Sequence, residues 1–89
     1  MSSEVYINHP NFGLLFRVCE LEANRDLFAT LYAQRLFFVV STKDRQTVFE
    51  PITRADARLM VESRLRLIKR QGNDSDYHRL QTSHKQAFL

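Results

Sequence analysis

Phe28-Ala29-Thr30-Leu31-Tyr32 and Leu36-Phe37-Phe38-Val39-Val40, joined by Ala33-Gln34-Arg35, form the stretch that decides the fold. With a period of two, Leu27, Ala29 and Leu31 oppose Phe28, Thr30 and Tyr32, while Leu36, Phe38 and Val40 oppose Phe37, Val39 and Ser41. Both sets are rich in apolar side chains. A strand domain of about 50 residues buries one face of each strand readily and two only with help. One set must therefore be covered by another element or stand open as a binding patch.

On either side of this stretch, turn chemistry divides the first half of the chain. Asn8-His9-Pro10-Asn11, Asn24-Arg25-Asp26 and Thr42-Lys43-Asp44-Arg45-Gln46 are polar connectors. They separate four to five short strands near residues 5–7, 14–21, 27–32, 36–41 and 47–49, a spacing that suggests a small curled barrel or sandwich. Residues 27–32 also fit a helix on propensity alone. Glu50-Pro51-Ile52 closes the strand region, since proline cannot continue a central ladder.

Thr53 then opens a helix, its hydroxyl placed to cap the free N–H groups, with Asp56 three residues on completing a capping-box pattern. Ala57, Val61, Leu65 and Ile68 make one apolar stripe, Arg54, Arg58 and Arg66 flank Glu62, and Gly72 suits the left-handed position just past the end near Gln71. Asn73-Asp74-Ser75-Asp76 offers a second start, followed by a stripe of Tyr77, Leu80, His84 and Phe88. The expected class is α+β: a strand domain over residues 1–53 and a helical hairpin over 54–89. A pair of this size is not stable alone, so its stripes pack on each other, on the strands or on a partner.

The 89 residues, 44% hydrophobic with only two Gly and two Pro, suit one folded unit. No apolar run reaches the roughly 20 residues of a membrane span. The start of the chain lacks the pattern of a secretory signal, and the single cysteine, Cys19, fits a reducing compartment, so a cytoplasmic protein is expected. Residues 1–53 carry a net charge of −1 and residues 54–89 a net charge of +4. The basic character belongs to the helices, which suits an acidic face or phosphates.

Few side chains carry chemistry. His9, Cys19, His78 and His84 fall in no metal-ligand spacing. His9 reads as a turn residue and His84 as a hydrogen-bonded packing histidine. Cys19 lies in an apolar strand pattern and reads as a buried, inert thiol. Glu20 and Glu22 follow strand parity and share a solvated face. No glycine-rich phosphate loop or nucleophile elbow is present. No enzyme and no cofactor are expected.

The run from Phe28 to Phe38, together with Asn8-His9-Pro10, Phe12-Gly13-Leu14-Leu15, Phe49-Glu50-Pro51-Ile52, Lys85-Gln86 and Phe88-Leu89, resembles the cyanobacterial PII-interacting protein X family over essentially the whole chain. The resemblance implies a Tudor-like, KOW-like small β-barrel followed by two C-terminal helices. It implies a coregulator held by the trimeric signalling protein PII when 2-oxoglutarate is scarce. When 2-oxoglutarate is abundant, the protein is released to coactivate the dimeric transcription factor NtcA. The effector is bound by the partners only. By matching positions the shared partner surface comprises Glu4, Tyr6, Phe12, Arg17, Tyr32, Gln34, Arg35, Leu36 and Phe38. Tyr32, Gln34, Leu36 and Phe38 then face outwards, with Phe37 and Val39 inside. Phe16 stands where relatives are expected to carry tyrosine.

The alternative is a KOW-like module for nucleic acid or the ribosome, working through Arg54, Arg58, Arg64, Arg66, Lys69 and Arg70. The barrel sequence lacks the basic-aromatic alternation that such binding favours, so direct nucleic-acid binding is not expected, and without a long apolar run no membrane partner is expected either.

Overall fold

The computed structural model describes residues 5–22, 24–31 and 35–88. Five strands, β1 (Tyr6–His9), β2 (Gly13–Glu22), β3 (Arg25–Thr30), β4 (Phe37–Lys43) and β5 (Gln46–Ile52), precede two helices, α1 (Arg54–Arg70) and α2 (Asp74–Phe88). Each strand pairs antiparallel with the next, in the order β1-β2-β3-β4-β5. The architecture is α+β, a curled half-barrel followed by a helical pair, as the sequence pattern predicts.

Local chemistry sets the turns. His9 faces Gly13 across a three-residue loop, and Gly13 takes a φ of 75°, which a residue without Cβ adopts freely. The expected connector over residues 42–46 shrinks to Asp44-Arg45, at φ 52° and 64°, because Thr42, Lys43 and Gln46 join the ladder. Two left-handed residues give a hairpin whose twist matches its strands. The strand region does close at Ile52, but Pro51 itself stays in the ladder. It pairs opposite Phe38 within β5, which tolerates proline because it is the last strand of the sheet and has a free edge. Residues 27–30 are strand, since pairing to both neighbours overrides helical propensity.

Two extra residues in β2 shape the sheet. Arg17 pairs with Phe28 and Cys19 with Leu27, so Val18 is a bulge; Glu20 pairs with Asp26 and Glu22 with Arg25, so Leu21 is another. The second bulge corrects the expectation for Glu20 and Glu22. Their partners Asp26 and Arg25 are consecutive and point to opposite faces, so the two carboxylates do as well. Bulges also increase twist, which helps the sheet curl.

Both faces of β3 and β4 are buried, by different means. Phe28 pairs with Phe38, and their face meets Leu15, Val40, Val5, Ile7 and Phe49 in a cluster drawn from all five strands and the residue before β1. Curling the sheet closes this inner face. Ala29 pairs with Phe37, and their face joins Val18, Cys19 and Leu27 to Ala57, Val61, Ile68, Leu80 and Phe88 of the helices. The helical pair therefore packs both on itself and on the outer face of the sheet.

The helices begin and end as their residues dictate. The Thr53 hydroxyl accepts from the Asp56 N–H at 3.1 Å, and the N–H groups of Gln71 and Gly72, the latter at φ 77°, close α1 by donating to the Leu67 and Lys69 carbonyls. Asn73 caps α2 by accepting from the Asp76 N–H at 3.2 Å and donating to its carboxylate. At the far end Phe88 stacks on Phe37 with centroids 5.0 Å apart and planes within 5°, and its carbonyl accepts from Arg54 Nη2 at 2.6 Å. His84 lies 5.1 Å from the Phe88 ring, but its Nε2 is buried with no hydrogen-bond partner among the described residues, contrary to the sequence expectation. Its stripe position puts the ring in an apolar seam.

Phe88 thus fastens the end of α2 to both β4 and α1. Phe88→Ala is expected to cost about 3 kcal/mol in a denaturant titration, with the largest loss of amide-exchange protection in α2. A cost near zero would show that α2 does not depend on this contact.

Candidate functional site

An open groove is lined by Phe12, Arg35, Leu36, Phe38, Pro51 and Arg54, where the β1–β2 loop, the start of β4, the end of β5 and the start of α1 meet. Phe12 is placed by its loop. His9 Nδ1 accepts from the Asn11 and Phe12 amides at 3.0 and 3.3 Å, which fixes the turn and makes His9 the turn residue that the sequence suggests. The Phe12 ring rests 4.9 Å from both His9 and Phe38 and stays 44% exposed. Leu36, at the other side of the groove, is 38% exposed.

Thr30 holds both ends of the connection from β3 to β4. Its N–H donates to the Leu36 carbonyl at 2.9 Å, its hydroxyl accepts from the Leu36 N–H at 2.8 Å, and its carbonyl accepts from Arg35 Nη1 at 2.7 Å. The Leu31 N–H is bonded to the Leu14 carbonyl at 3.0 Å. The connection therefore leaves and rejoins the sheet at a fixed base. Arg35 also lies over the Phe16 ring, 5.2 Å from its centroid, so its charge is held in place at the groove rim.

Of the residues singled out in the sequence, Phe12, Arg35, Leu36 and Phe38 meet in this groove. Phe38 is a correction. It is only 3% exposed and belongs to the inner cluster, because the curl that closes this face is invisible in strand parity; Phe12 covers it instead of a partner. Tyr6 is 47% exposed and pairs opposite Phe16, the ring beneath Arg35, so it borders the groove residues through Arg35. Arg17 pairs opposite Phe28 and turns its guanidinium to Glu20 at 3.4 Å, on the sheet face opposite Tyr6. Glu4, Tyr32 and Gln34 lie outside the described residues.

Sequence reading missed Thr30, His9 and Pro51 as parts of the site, and assigned Arg54 only to the basic set of the nucleic-acid alternative. A threonine between two apolar runs is the signal that would have pointed to Thr30, since a buried hydroxyl needs a partner. Among the described residues no group of three His, Cys, Asp or Glu is placed to hold a metal ion. Burial pushes the Cys19 thiol up to about 12, so it stays protonated at neutral pH and is a poor nucleophile. No helix among the described residues is long and apolar enough to cross a membrane.

The family profile of PII-interacting protein X (PipX) matches residues 3–88. The chain belongs to the PII-interacting protein X family. Membership makes it a PII-interacting protein, of a family not known for catalysis. No curated protein gives a significant sequence match. For a PipX protein, a groove with exposed apolar side chains on rigid elements and fixed charge at its rim is the chemistry of a protein-binding surface.

Beside Arg17, Asp26 is raised from the ordinary aspartate value, chiefly by burial, with Arg17 opposing and Glu20 adding to it. Ionisation therefore opposes folding: the favourable contribution is complete below the unfolded value of about 4 and is lost as pH rises through the raised one. Asp26→Asn should melt at a higher temperature than the parent at neutral pH, with the gap closing in acid. Thermal melts across that range check it.

Proposed function

We propose that the chain is a non-enzymatic coregulator that alternates between PII and the transcription factor NtcA through the groove around Phe12, Arg35 and Leu36. PII holds it when 2-oxoglutarate is scarce, and NtcA receives it when 2-oxoglutarate is abundant. Effector sensing belongs to the partners, and the switch takes place in the cytoplasm. The observation that carries the proposal is the gathering of exposed Phe12 and Leu36 with the held charge of Arg35 at one groove, on a chain of the PII-interacting family.

The physics suits a surface that must be both used and released. Phe12 and Leu36 offer rigid apolar area whose burial contributes without reordering the protein, because His9 and Thr30 already fix their backbones. Arg35, planar and preplaced, can donate to a carboxylate in a charge-assisted pair. Tyr32 and Gln34, on the connection whose ends Thr30 fixes, supply the remaining contacts by family resemblance. Phe38 acts beneath them as support for Phe12 rather than as a contact. Two partners needing the same apolar anchors cannot both be satisfied.

Tyr32→Ala and Leu36→Ala should each weaken capture by PII and by NtcA, with about 2 kcal/mol expected for the tyrosine. Reversing charge at Arg58, which is exposed and pairs with Glu62 at 3.9 Å, should change neither affinity by more than a few tenths of a kcal/mol. Calorimetry on the isolated chain should detect no binding of 2-oxoglutarate, ATP or ADP. Folded Tyr32 and Leu36 variants that keep both affinities would refute the proposal.

A further inference from the structure

A second groove, sharing no residue with the first, runs between the β2–β3 hairpin and α1. Its apolar lining is Leu21, Leu59, Met60 and Leu67. Leu59 and Leu67 lie off the stripe of Ala57, Val61 and Ile68 by which α1 packs on the sheet, so folding does not require them to be apolar. Leu59 is nonetheless 62% exposed, the most of any large apolar side chain described. Leu59, Ser63 and Leu67 follow one another at intervals of four along a single helix face, and the small serine between the leucines leaves a depression.

The rim is cationic. Arg25, Arg64, Arg66 and Arg70 line the groove against one carboxylate, Glu22, which is already 3.3 Å from Arg25. None of the ion pairs among the described residues takes up Arg64, Arg66 or Arg70. Exposed leucines flanked by unneutralised arginines complement a ligand that is both apolar and acidic.

We infer that this groove is a second docking site, for an acidic amphipathic segment of a protein partner. The segment's apolar side chains cover Leu21, Leu59 and Leu67, and its carboxylates meet Arg64, Arg66 and Arg70. A nucleic acid fits the arginines but leaves the leucines wet, and no aromatic side chain lines the groove for bases to stack on. A lipid surface fits less well, because the leucines line a depression instead of crowning a ridge. Helix-in-groove recognition uses this pairing of apolar anchors with a charged rim.

The test is a titration of the isotope-labelled full chain, followed by amide chemical shifts. The probes are a synthetic helical peptide of Leu and Glu, its Lys counterpart, a single-stranded oligonucleotide, and vesicles of phosphatidylcholine with phosphatidylglycerol. The Leu/Glu peptide should bind saturably, shifting Leu21, Leu59, Ser63 and Leu67, and Leu59→Ser or Arg66→Glu should weaken it at least about tenfold. Because both substitutions are at exposed positions, the variants should still capture PII as the parent does, which shows that they are folded. Absence of saturable binding, equal binding of the Lys peptide, or tighter binding of the oligonucleotide or vesicles at the same residues would overturn the proposal.

Discussion

Phe37 and Phe38 are neighbours in the chain, point to opposite faces of one small sheet, and are both almost wholly removed from water. That double burial is the constraint on which the rest of the molecule depends. One face is closed by bending the sheet on itself, so that residues from β1 through β5 meet in one cluster around Phe28 and Phe38. The other is closed by importing two helices, which contribute Val61, Ile68, Leu80 and Phe88. Neither device is sufficient alone, since a five-stranded sheet of this length has too little area to bury two apolar faces by curling once.

What remains for recognition follows from this use of the two faces. With both covered, the exposed apolar side chains that remain include Phe12 in the β1–β2 loop, Leu36 just before β4, Val48 within β5, and Leu59 and Leu67 on the outer part of α1. Such positions are rigid because the backbone around them is held, by His9 at one and Thr30 at another. A surface of this kind can exchange partners without the core rearranging, which is what the proposed alternation between PII and NtcA requires.

Features governed by near neighbours in the chain were legible in the sequence. Thr53, Gly72 and the Asn73 region marked helix ends correctly because capping involves residues three or four apart. The alternation along β3 and β4 separated the residues of the two faces within each strand, but the matching of Phe28 with Phe38 and Ala29 with Phe37 across the strands, and the burial of both faces, come only with the pairing. Strand parity left the face of Phe38 open, and its outward placement rested on the family resemblance alone, because curvature was not legible. Nor were the bulges at Val18 and Leu21, whose extra residues appear only once a partner strand is in place. Pro51 misled because its cost depends on whether the strand is an edge. The second groove escaped notice for a related reason. Leu59 and Leu67 are unremarkable along the chain and become informative only when their exposure is known.

The central functional claim is that one groove serves two partners in turn. It is tested most directly by titrating PII into a preformed complex of the chain with NtcA, at fixed nucleotide and low 2-oxoglutarate, and following the assemblies by light scattering. The account predicts that the NtcA complex dissociates as the PII complex forms, with no species containing all three proteins. A stable ternary assembly would contradict it.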